Sequence, residues 1–161
     1  MRTSITSLQN ARVKNIVKLN NRRYRDSARL TVVEGVREVE RALQNDIVPP
    51  EAYVCPPLLG DAAGLLETLQ NLAETGATRL FEVTPPVFAK IAYRQDSGGV
   101  LLLIPYFQRA LDDLPLSANP FLAVIEGGEK PGNLGAILRT ADAAGVVASV
   151  RIPRCRSQPI T

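Results

Sequence analysis

The 161 residues carry 45% hydrophobic and 22% charged side chains, the balance of a soluble globular protein with room for one ordinary domain or two small ones. No apolar run is long enough to cross a bilayer, the first thirty residues lack the apolar centre of a signal peptide, and Cys55 and Cys155 form no C-x-x-C pair; the expectation is a cytoplasmic protein without a zinc site or a disulfide framework. Histidine is absent, so the commonest general base and the commonest transition-metal ligand are both missing, and any proton transfer falls to another group.

The net charge of +3 is unevenly spread. Residues 1–30 hold eight basic side chains against Asp26 alone, whereas the remaining 131 residues hold eleven basic against fifteen acidic ones. A basic segment ahead of a slightly acidic body is what a polyanion contact looks like. Within it, Asn10 to Leu19 reads as a helix with Val13, Ile16 and Val17 inward and Arg12, Lys14 and Lys18 outward. Asn20 to Arg29 is a polar segment with Arg22, Arg23 and Arg25 around Tyr24. An aromatic ring among guanidinium groups suits RNA, whose bases stack and whose phosphates pair with arginine. Arg12, Lys14, Arg22, Arg23 and Arg25 are therefore the candidate RNA contacts, the alternative being a solvated basic face with Tyr24 packed as a lid.

The chain then alternates. Leu30 to Val33 reads as a strand and is followed by Glu34-Gly35 and a helix with Val36, Val39 and Leu43 at helical spacing, closed by Pro49-Pro50. Ala52 to Cys55 is a second strand, Asp61 to Glu74 a helix ended by Gly76, and Arg79 to Val83 a third strand. Thr84-Pro85 opens another helix, threonine as cap and proline in the first turn, and Val100 to Ile104 is a fourth strand after the Gly98-Gly99 turn. This alternation predicts an α/β layer structure, with Glu34 as a structural cap or ion pair. Pro105 to Pro120, with three prolines and no clear period, reads as a linker.

Phe121 to Gly145 reads as strand, Gly-rich loop and helix, with Asn133 as the expected cap and Gly145 at the stop. At about 100° per residue, Leu134, Ile137, Leu138 and Ala141 form the expected buried stripe, while Gly135, Arg139 and Asp142 share another flank with Asn133 at its top. Arg139 thus stands above a residue with no side chain, where another backbone or a ligand can approach. The loop is neither a Walker motif nor Gly-x-Gly-x-x-Gly, and the bland reading is a solvated or salt-bridged arginine. Val146 to Ile152 is the expected parallel partner strand.

The run from Glu129 to Gly145, which fixes Pro131, Asn133, Gly135, Arg139, Asp142 and Gly145 together, closely resembles the first signature motif of the SpoU (TrmH) family of RNA ribose 2′-O-methyltransferases in the SPOUT superfamily. The pattern of residues 34–43, 84–91 and 98–102 is similar, through weaker motifs, to the L30e-like substrate-binding domain that precedes the catalytic domain in that family. The resemblance implies an L30e-like α/β/α domain over residues 1–105, a linker over 106–120 and the first βαβ unit of a trefoil-knot methyltransferase domain over 121–161. It implies S-adenosylmethionine as methyl donor, structured RNA (ribosomal or transfer) as substrate and a homodimer where the methyltransferase domain is complete.

It also implies Arg139 as the base, with an RNA phosphate setting its state, and Asn133 as the residue that orients it. A guanidinium, with a pKa above about 12, suits a more conservative role, clamping the phosphate and positioning the hydroxyl. The family's two later motifs, expected to hold the cofactor, have no counterpart in these residues, and the tail from Arg151 departs from the family pattern. The expectation is a sequence truncated or frame-shifted near Val147. A non-enzymatic RNA-binding module and an unrelated nucleotide-binding α/β protein are the competing readings.

Overall fold

The computed structural model describes residues 3–94, 97–106, 111–114, 116–127 and 131–152. Two compact units divide the chain, Met1–Phe107 and Gln108–Thr161.

The first unit is a three-layer α/β/α sandwich around a five-stranded sheet. Its strands are β1 (Thr3–Ile5), β2 (Leu30–Glu34), β3 (Glu51–Val54), β4 (Arg79–Val83) and β5 (Val100–Pro105), in spatial order β1-β4-β3-β5-β2. β1, β4 and β3 run parallel, and β5 lies antiparallel between β3 and β2. Side chains alternate across a strand, so each strand feeds two cores. Tyr53, Phe81, Val83, Leu101 and Leu103 meet α1 (Ala11–Lys18) and α5 (Pro85–Ile91) through Val13, Ile16, Val87, Phe88 and Ile91. Ala52, Val54, Leu80, Val100, Leu102 and Ile104 meet α3 (Val36–Gln44) and α4 (Ala63–Glu74) through Val39, Ala42, Leu65 and Leu69. β3 is buried on both faces, as the central position of a covered sheet requires.

Local chemistry sets the ends of these elements. Asn10 caps α1, its side chain accepting from the Arg12 N–H at 2.8 Å. The polar segment after α1 is itself helical, α2 (Arg22–Ala28), capped by Asn21 in the same way at 2.9 Å and stopped by Arg29 in the left-handed region at φ 53°. Gly99 sits at φ +68°, and a Cβ there would lie 2.7–2.8 Å from backbone atoms of Cys55, Leu58 and Leu59. Only glycine lets the turn before β5 close on β3, where the Cys55 N–H reaches the Gly99 carbonyl at 2.7 Å.

In this unit two expectations need correction. The cap hydrogen bond expected of Thr84 is not made, and its buried hydroxyl has no partner; Pro86, at the second helical position, has no N–H to offer it. Val17 is only half-buried. β1, ahead of the first element read from the sequence, pairs with β4.

The second unit contains a 3-10 turn (Leu111–Asp113) and then β6 (Leu122–Glu126), α6 (Pro131–Ala143) and β7 (Ala148–Ile152). β6 and β7 pair in parallel from Leu122 opposite Ala148 to Glu126 opposite Ile152. Gly145, at φ +75°, ends the helix in a turn where the Gly145 N–H reaches Asp142 O and the Val146 N–H reaches Ala141 O. Ala141 is buried and Leu134 half-buried, but Ile137 and Leu138 are 41% and 42% exposed, so the expected stripe is covered only in part. One helix on a two-stranded ribbon has too little surface to seat all four residues.

Candidate functional site

α6 begins at Pro131, whose fixed φ suits a first helical position, so Asn133 lies inside the first turn instead of capping it. Its side chain, like those of Arg139 and Asp142, is exposed. One turn along, a Cβ placed on Gly135 would meet Nη1 of Arg139 at 3.5 Å, which means that the guanidinium lies back across the glycine. The pairing read from helical spacing is therefore present in space: an exposed cation over a bare stretch of helix, with its remaining N–H donors open to an oxyanion. Glu129 and Lys130 of the same motif lie outside the described residues.

The candidate RNA contacts separate into two kinds. Arg12 is bound into the fold: it pairs with the buried carboxylate of Glu51, and its guanidinium lies over the Phe81 ring at 4.6 Å from the centroid. Glu51 also takes Arg79 at 2.8 Å and the Tyr53 hydroxyl. Burial, reinforced by the hydrogen bond to Glu51, pushes the Tyr53 phenol well above its ordinary range, and Tyr53 stacks on Phe81 at 5.1 Å. Arg25 donates from Nη1 to the carbonyls of Leu19 at 2.7 Å and Asn20 at 3.0 Å, satisfying the end of α1. Lys14, Arg22 and Arg23 form the exposed remainder, with Arg22 only 3.8 Å from Asp26 in a loose surface pair. Tyr24 does pack as a lid, against the core with Lys18 above its ring at 5.7 Å.

Sequence reading missed Glu51 and Arg79. They are direct neighbours in the β3-β4 register, and only the pairing of those strands shows it. It also missed the second part of Glu34's structural role, in which one carboxylate accepts the backbone N–H groups of Tyr93 at 2.6 Å and Arg94 at 2.8 Å. Cys55 is buried and its thiol is pushed up by that burial, a packed spectator, whereas Cys155 lies outside the described residues. Among the described residues no group of acidic or thiol side chains is arranged to hold a metal ion, and no helix is long and apolar enough to cross a membrane.

Residues 10–102 match the model of the MRM3-like substrate binding domain, more than half of the chain. The 23S rRNA (guanosine-2'-O-)-methyltransferase RlmB of Vibrio vulnificus is 52% identical over 116 residues, 69% of this chain and 45% of that protein. The chain belongs to the SpoU (TrmH) family. A crystal structure of an RNA 2'-O ribose methyltransferase superposes with a TM-score of 0.69 at 37% identity, over 94% of this chain and 55% of that one. An AdoMet-bound rRNA methyltransferase from Sinorhizobium meliloti does so with a TM-score of 0.70 at 27% identity, over 93% and 54%. The fold is accordingly the mixed α/β fold of SpoU methyltransferases, and the chain spans about half the length of the curated relatives that it matches.

Proposed function

We propose that this sequence supplies the RNA-recognising domain and the first catalytic motif of an S-adenosylmethionine-dependent RNA ribose 2′-O-methyltransferase that acts on ribosomal RNA in the cytoplasm. The observation that carries the reading is the arginine of α6 laid over Gly135, exposed and ready for an oxyanion, in a chain whose other unit belongs to a substrate-binding family. In this reading residues 1–105 hold the RNA, 106–120 connect, and 121–161 begin the methyltransferase domain, which works as a homodimer once complete.

The cofactor would supply an activated methyl on a sulfonium, and the ribose 2′-oxygen would accept it. Asn133 and Arg139 are both exposed, so the described residues of this unit do not enclose an adenosyl group. They suit the RNA side of the reaction. A guanidinium is protonated at any ordinary pH, so Arg139 clamps the phosphate next to the target ribose and fixes the 2′-hydroxyl in line, and Asn133, six residues earlier on α6, contributes a neutral donor and acceptor to the same approach. Lys14, Arg22 and Arg23 supply long-range attraction for the polyanion.

The test is a methyl-transfer assay with S-adenosylmethionine and ribosomal RNA, read as ribose-methylated product. Arg139→Ala should abolish transfer and leave RNA retention on filters within about twofold. RNA binding without any transfer would assign the chain to the alternative reading, a non-enzymatic RNA-binding module.

A further inference from the structure

In the first unit, a cavity of about 590 Å³ opens along β2, the edge strand of the sheet, between the end of α1, α2 and the loop after α5. That volume lies within the roughly 300–1,000 Å³ of small-molecule sites. Its rim carries two tyrosines and two arginines: Tyr93, Tyr106, Arg25 and Arg94. Tyr93 is the most exposed of the large hydrophobic side chains among the described residues of the unit, at 84%, yet its backbone is not loose. The carboxylate of Glu34 accepts the N–H groups of both Tyr93 and Arg94, and Glu38 faces the Arg94 guanidinium at 3.7 Å. The two acids on the rim are thus used to hold the loop, and the Tyr106 N–H is fixed on the Arg29 carbonyl at 2.8 Å.

A ring presented to water from a clamped backbone gains nothing for the fold. Hydrophobic burial places aromatic rings inward, as the chain does with Tyr53, Phe81 and Phe88. The surroundings supply the counterpart of a nucleic acid. Arg22 and Arg23 lie exposed on α2 beside Arg25, and the edge strand leaves backbone donors and acceptors beside the cavity.

We infer that this cavity takes one unpaired nucleotide of the RNA, its base stacked on Tyr93 and its phosphate held by Arg94. The inference rests on the RNA-binding reading above and narrows it: the substrate is an RNA with an unstacked base in a loop or bulge, because a base paired inside a duplex has no free face to offer. Glu34, whose role in the fold is to pin residues 93 and 94, becomes a positioning residue for the stacking ring.

The experiment compares binding of the full chain to a short stem-loop RNA and to a blunt RNA duplex of equal length, with Tyr93→Ala and Tyr93→Phe beside the wild type. Tyr93→Ala should weaken stem-loop binding about tenfold, within the range found for loss of one stacking ring, with the duplex affinity and the melting curve unchanged. Tyr93→Phe should keep the stem-loop affinity within about twofold, because stacking needs the ring and not the hydroxyl. Wild-type affinity in Tyr93→Ala, with weakened binding when Arg22 and Arg23 are changed to alanine, would overturn this site and leave the RNA-binding reading standing. No binding of either RNA by the wild type would overturn both.

Discussion

The two units treat apolar side chains in opposite ways. In the first, Val39, Leu69, Val87, Leu101 and Leu102 are fully buried, and helices cover both faces of a five-stranded sheet. In the second, Phe121, Val124 and Val147 are more than half exposed, and the helix that carries the motif arginine leaves Ile137 and Leu138 at the surface. The contrast teaches where each unit's stability and chemistry lie. A parallel sheet needs cover on both faces, and a single crossover helix covers one. The first unit holds its own core, whereas the second, among the described residues, displays its motif on an open βαβ ribbon.

Truncating the cores should separate the units most sharply. Leu102→Ala, in a fully enclosed position, should cost the first unit about 2–5 kcal/mol, whereas Leu138→Ala should change stability by less than about 1 kcal/mol. Urea titration followed by circular dichroism measures both, and a comparable loss from Leu138→Ala would mean that α6 is as well packed as the central strands. Gly99→Ala belongs with the large effects, since the added Cβ meets backbone atoms of Cys55, Leu58 and Leu59 and the turn needs a positive φ.

The next effect in size tests the buried network. Glu51→Gln strips the charge that Arg12, Arg79 and Tyr53 share. The cost should be about 1–3 kcal/mol, below that of a fully buried pair because the side chains of Arg12 and Arg79 are 36% and 64% exposed. The raised Tyr53 phenol has a pH consequence with a definite sign. It stays neutral in the folded chain and ionises in the unfolded one, so the stability it contributes is complete below pH about 10 and is lost as the pH rises above that. Phenolate absorbance should therefore show one of the four tyrosines appearing only together with alkaline unfolding. A phenolate step for all four before the loss of helical signal would contradict the network.

The smallest stability effects divide the arginines. Arg25→Ala should cost about 1–2 kcal/mol by freeing the carbonyls at the end of α1, and Arg23→Ala should leave the melting curve where it is. Equal melting of the two variants would remove the distinction between structural and surface arginines.

These arginines also show how far the sequence could be read. The central strands were legible because Ala52 to Cys55 and Val100 to Ile104 are short apolar runs, and Arg79 to Val83 carries Leu80, Phe81 and Val83, each between turn formers. Thr3–Ile5 is too short to show a period, and α2 has no apolar stripe to announce it: Asn21 caps it, Tyr24 ties it to the core and Arg25 ties it to α1. On α6, the 3.6-residue period placed Arg139 over Gly135 correctly, because that is a property of the helix alone. It misplaced Ile137 and Leu138, because burial depends on what the rest of the unit provides. Spacing alone sets Arg12 on the outward side of α1; its ion-pair partner, Glu51, is 39 residues away and becomes visible only through the strand register that sets Glu51 beside Arg79.

Whether the first unit holds RNA by its exposed basic surface is read from the salt dependence of binding to a ribosomal RNA fragment. The logarithm of the affinity should fall linearly with the logarithm of salt concentration, and changing Arg22 and Arg23 together to alanine should flatten the slope by up to about two charges' worth. An affinity that does not respond to salt, or a slope that the double substitution leaves unchanged, would contradict that reading.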